Sequence, residues 1–103
     1  METVADLTIA YEEAGEVLVE ELDKIVLQKG VWAVVLFRYQ EINRKTGKFN
    51  SPKASLRRYQ KYKGEYRKRD NINLSKDSAV KLVEILNDWL EGGQLGDGDG
   101  EDE

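Results

Sequence analysis

The sequence has no cysteine and no histidine, a single proline at position 52, and no apolar run approaching the ~20 residues that span a bilayer. Without cysteine, neither a disulfide framework nor a thiolate metal site is possible, and nothing points to an oxidising compartment. Without histidine, the chain lacks both the commonest general base and the commonest zinc ligand. Paired acids occur at Glu12-Glu13 and Glu20-Glu21, and acids alternate with glycine around Asp97 and Asp99. No phosphate-cradling Gly-rich loop, nucleophile elbow or metal-binding helix motif accompanies them, and the calcium-loop spacing with its closing Glu is missing. The composition therefore predicts a protein that is not an enzyme and uses no cofactor and no metal. The start, Met1 to Asp6, is acidic and lacks the basic-then-apolar order of a signal peptide. The expectation is an untargeted protein with no membrane contact, cytoplasmic, or nucleoid-associated if it meets DNA.

What is present is charge, unevenly placed. The 103 residues suffice for one domain with one modest core, and the net charge is -4. Residues 1–30 hold eight acids and two bases, a net of -6, whereas residues 31–70 hold twelve bases and three acids, a net of +9. Residues 71–90 contribute -1 and residues 91–103, with six acids and no base, contribute -6. Because charges farther apart than a Debye length of ~8 Å are screened, the central block sets up a positive surface despite the overall sign.

The hydrophobic pattern predicts an α+β domain over 15–92: a four-stranded antiparallel meander followed by an amphipathic helix (ββββα), with a dimer expected. Val4, Leu7, Tyr11 and Ala14 fit a helical stripe, but Gly15 interrupts it, so residues 1–14 are read as an N-terminal arm, whether helical, disordered or a swapped strand. Val17, Val19, Ile25 and Val26 suit a strand over 16–28, bent or bulged near Glu21–Asp23. Lys29-Gly30 supplies a turn into the clearest strand, Val31 to Ile42, whose first half is apolar on both faces and so calls for cover on both sides or a second copy. A basic polar loop runs from Asn43 to Pro52, Lys53–Tyr62 and Glu65–Leu74 read as strands, and Lys63-Gly64 joins them. Ser75 is a good N-cap for a helix whose Ala79, Leu82, Val83, Leu86 and Leu90 recur at helical spacing up to Gly92. Residues 93–103 have too few apolar groups to offset the entropy of ordering and are expected to be a disordered acidic tail. Such a tail solubilises, competes with nucleic acid for the basic surface, or recruits a protein partner.

Strict alternation along the strands sorts the basic hairpin into two faces. Leu56, Ile72 and Leu74 mark the face expected to meet the helix, leaving Arg57, Tyr59, Lys61, Arg67, Arg69 and Asn71 outside. Cations with an embedded aromatic suit a single strand, since Arg and Lys follow phosphates and a tyrosine ring stacks a base for ~1–3 kcal/mol. Arg38, in preference to Tyr39, and Arg44, Lys45, Lys48 and Lys53 of the loop extend the track. A merely solvated face would mix both signs more evenly than the twelve bases and three acids of residues 31–70 do. Trp32 and Trp89 lie in apolar patterns and are assigned to core or dimer packing. The alternative ligand is an acidic protein partner held by the same basic surface.

Two hairpins followed by a helix, with Trp32 leading one strand, Pro52-Lys53-Ala54-Ser55-Leu56-Arg57-Arg58-Tyr59 opening the next, and Lys68-Arg69-Asp70-Asn71-Ile72-Asn73-Leu74-Ser75 ending the last, resemble the positive-cofactor-four family of transcription coactivators and its bacterial relatives over about residues 16–91. The resemblance implies a homodimer with helices at the interface and curved sheets that present a basic, aromatic surface to single-stranded DNA. The chain departs from that pattern in its longer, more basic loop at 43–53 and its acidic tail. Whirly and Pur-type domains look similar in the same way, which keeps RNA beside DNA as a ligand.

Overall fold

In the computed structural model, which describes residues 3–96, five antiparallel strands pair in chain order and one helix follows. They are β1 (Tyr11–Glu13), β2 (Glu16–Gln28), β3 (Trp32–Glu41), β4 (Lys53–Tyr62), β5 (Glu65–Leu74) and α1 (Lys76–Glu91). The sheet is curled into a half-barrel, and β1 and β5 are its edges. Lys63 and Gly64 both have positive φ, +53° and +82°. This is the two-residue hairpin turn whose twist matches the flanking strands. Ala14 and Gly15 repeat it at +54° and +82°, so the glycine read as a break is the turn of a further hairpin. β2 carries the expected bulge between Glu21 and Asp23 and a second between Val26 and Gln28.

The fifth strand corrects the four-stranded expectation, and the described part of the N-terminal arm, residues 3–14, is neither an α-helix nor a free segment. Val4–Asp6 forms a single 3-10 turn, and the chain then runs extended across the sheet into β1. Leu7 and Ile9 are 3% and 6% exposed, and they close a core made with Ala33, Val35, Phe37, Tyr39 and Tyr59. The reason is burial: alternate residues of β3 put Val35 and Phe37 on one face, and α1 does not cover it. Each large aliphatic side chain buried there contributes about 1.5–3 kcal/mol. Polar contacts fix the strap. The Glu21 carboxylate accepts from Thr8 Oγ1 at 2.6 Å and Ile9 N at 3.4 Å, and Lys24 Nζ donates to the carbonyls of Val4 at 2.6 Å and Ala5 at 3.1 Å.

The opposite, open face of the sheet carries Ile25, Val34, Leu36, Leu56, Ile72 and Leu74. It was expected to lie under the helix. Instead α1 starts beside β5, with Ser75 Oγ accepting from Ser78 N at 3.2 Å, and only its first turns approach the sheet. No residue of α1 is buried, and Val80, Leu82, Val83, Trp89 and Leu90 are all exposed. The result is a slab of 47 × 38 × 17 Å with a radius of gyration of 16.1 Å, against about 13 Å for a compact domain of this length. Of the acidic tail, residues 97–103 lie outside the described residues.

Candidate nucleic-acid interface

β4 and β5 together carry seven bases and two acids. Their register shows where each points. Ser55 faces Asn73, Arg57 faces Asn71, Tyr59 faces Lys68 and Lys61 faces Tyr66, all on the covered side. Leu56 faces Ile72, Arg58 faces Asp70, Gln60 faces Arg67 and Tyr62 faces Glu65 on the open side. A register shift opposite Arg58 and Tyr59 leaves Arg69 as the extra residue. Such a bulge reverses the alternation beyond it. Arg67 and Arg69 therefore lie on the side opposite Arg57 and Tyr59, and Arg69 Nε donates to Gln60 Oε1 there at 3.0 Å.

This overturns the single outward face expected from strict alternation. Tyr59 is 5% exposed, inside the core, and cannot stack a base. Arg57 is half-buried with its guanidinium 5.8 Å from the centre of the Phe37 ring. Lys61 and Asn71 are exposed on the covered side; Arg38 is exposed on the open side, beside Asp23. Lys53 is held by Glu41 at 3.3 Å, and Arg44 lies 4.0 Å from Glu13. The 43–50 loop is not free: Asn43 Oδ1 accepts from the backbone of Lys45 and Thr46, and Ile42 and Phe49 form a bridge. Arg44, Lys45 and Lys48 thus project from a closed turn at the other end of β4 from the hairpin tip.

Of the hairpin tip, sequence reasoning named Lys61, Arg67 and Arg69 but missed Tyr62, Lys63 and Lys68. Tyr62 is 50% exposed, with Lys63 Nζ 5.3 Å and the Arg67 guanidinium 5.9 Å from its ring centre. Lys61 Nζ lies 5.5 Å from the Tyr66 ring, whose hydroxyl donates to the Gly30 carbonyl at 2.6 Å. Residues 61–69 hold five cations and one acid, and none of the five forms an ion pair among the described residues. Arg58 differs. It is sandwiched between the Trp32 ring, at 4.5 Å, and the Asp70 carboxylate, which accepts from its Nε and Nη2 at 2.7 Å each, so its charge is matched. The available signal was Tyr62 standing directly before the Lys63-Gly64 turn, where a hairpin projects furthest from the sheet.

Among the described residues no group of three or more acidic, His or Cys side chains is placed to hold a metal ion, and no helix is long and apolar enough to cross a membrane. Comparison of the chain with protein-family models, curated proteins and solved structures found no match.

Proposed function

We propose that the protein is a non-enzymatic, single-stranded-nucleic-acid-binding homodimer, taking DNA in preference to RNA, that serves transcription or replication in the cytoplasm or nucleoid. The observation that carries the reading is the hairpin tip: an exposed tyrosine ring between two cations, within nine residues that bear five bases and one acid. Lys61, Lys63, Arg67, Lys68 and Arg69 neutralise phosphates, and Tyr62 offers a face on which any base stacks, so binding is sequence-tolerant. The resemblance to the positive-cofactor-four family supports the same ligand and the same assembly. A second copy is the occupant we assign to the apolar surface, because α1 and the open sheet face are both uncovered on the same chain. A twofold pairing covers both in each protomer at once.

The test is fluorescence anisotropy of a labelled strand of ~20 nucleotides, titrated with the full chain and with a chain ending at Gly92, at low and high salt. Binding that falls with salt supports the reading, and tighter binding by the shorter chain shows the acidic tail competing with the strand. No binding by either at low salt overturns it and leaves an acidic protein as the ligand of the hairpin.

A further inference from the structure

On the covered side of β5 a cleft of about 330 Å³ opens between the N-terminal strap and the sheet. Its size falls in the lower range of small-ligand sites. Tyr39 and Arg57 line it from within the sheet, Asn71 and Asn73 from β5, Tyr11 from β1 and Glu41 from the end of β3. The strap is fixed by its two bonds to Glu21, so the opposite wall is built rather than loose.

The polar groups here are not used up by the fold. Arg57 Nε is buried and has no hydrogen-bond partner among the described residues. A buried donor left in this way costs ~1–3 kcal/mol, and native structures leave few of them. Among the described residues the side-chain bond of Asn71 and Asn73 is a long one, 3.4 Å from Nδ2 to Oδ1, and Asn71 Oδ1 and Asn73 Nδ2 have no side-chain partner there. Tyr11 is 52% exposed at the rim. A guanidinium, two amides that both donate and accept, a carboxylate and two phenol rings form the chemistry that reads the edge of a base and stacks its face.

The cleft is also on the route of a bound strand. Lys61, Tyr66 and Lys68 lie on the same side of the hairpin, between the tip and Asn71, so a backbone tracking those cations along the free edge of β5 passes the opening. We infer that this cleft takes one unstacked nucleobase of a single strand held by the β4–β5 hairpin, an inference that rests on the nucleic-acid reading above. Arg57 and the two asparagines bond the base edge, and Tyr11 closes over its face.

The experiment is an NMR titration of the ¹⁵N-labelled full chain with a ~20-nucleotide strand, with deoxynucleoside 5′-monophosphates, and with deoxyribose 5-phosphate as the base-free control. The strand and the nucleotides should shift the side-chain amides of Asn71 and Asn73 and the backbone amides of Ala10 and Tyr11, and the sugar phosphate should not. The exposed pair N71L/N73L should lose those shifts and bind the strand roughly tenfold more weakly. Tyr11→Ala, on an edge strand, gives the same readout should the double variant not fold. Salt-sensitive strand binding with silent cleft amides, and with unchanged affinity in the variants, overturns the cleft and leaves the hairpin reading standing. Absence of any strand binding by the unaltered chain removes the hairpin reading and this inference with it.

Discussion

Tyr59 and Tyr62 stand three positions apart on β4, the first enclosed with Phe37 and Leu7 and the second half in solvent between Lys63 and Arg67. Their truncations should separate stability from binding. Tyr62→Ala is expected to weaken single-strand affinity about 5- to 150-fold, the equivalent of one lost stacking platform at ~1–3 kcal/mol, with the urea midpoint unchanged. Tyr59→Ala, which empties an aromatic site in the core, should cost about 3–5 kcal/mol in urea unfolding while the molecules that remain folded bind normally. Equal loss of affinity in both would remove Tyr62 as the platform. The cations divide in the same way. Lys63→Ala and Arg67→Ala should each flatten the dependence of log affinity on log salt by about 0.7, since each releases one counterion from a single strand. Arg58→Ala should leave that slope alone, because its charge is already matched by Asp70 at 2.7 Å. A reduced slope for Arg58→Ala would show that Asp70 yields the guanidinium to phosphate.

The elements differ in how plainly the sequence announces them. β4, β5 and their turn were legible to the residue because two β-rich runs are divided by Lys63-Gly64, and α1 because Ser75 caps an apolar stripe that ends at Gly92. The bulge at Glu21–Asp23 was legible too. The one at Arg69 was not: it is a two-against-one mismatch between strands, which no local sequence records, and it moved two of the expected site residues to the other face. The N-terminal strap was hidden for a different reason. Val4, Leu7 and Tyr11 have helical spacing, while what the structure uses is the two-residue spacing of Leu7 and Ile9, too short a run to assert itself until the β3 face that needs covering is known. Leu7→Ala and Ile9→Ala should accordingly destabilise the protein by about 2–5 kcal/mol each in urea unfolding. A free arm would tolerate both changes at no cost, and that result would detach the strap from the core.

At the scale of the whole molecule, the slab shape and the uncovered helix meet in one expectation. A helix of sixteen residues with no fully buried side chain gains little from tertiary packing, and short helices are marginal in water without it. In the proposed dimer a second copy would supply that packing, so the mass by sedimentation should be twice 11.8 kDa and the unfolding temperature should rise with protein concentration. Leu82→Lys with Leu90→Lys, both exposed in the single protomer, should return the mass to 11.8 kDa. The consequence for binding follows from linkage. A dimer presents two hairpins, so a strand long enough to reach both is held the second time at a high effective concentration, worth up to 10²–10⁴ in affinity where the geometry allows. The Lys variant should therefore lose affinity for a long strand while keeping that of a strand too short to bridge. Were it to bind both lengths as the unaltered chain does, each hairpin would act alone, and the apolar surface would serve stability without contributing to the grip on nucleic acid.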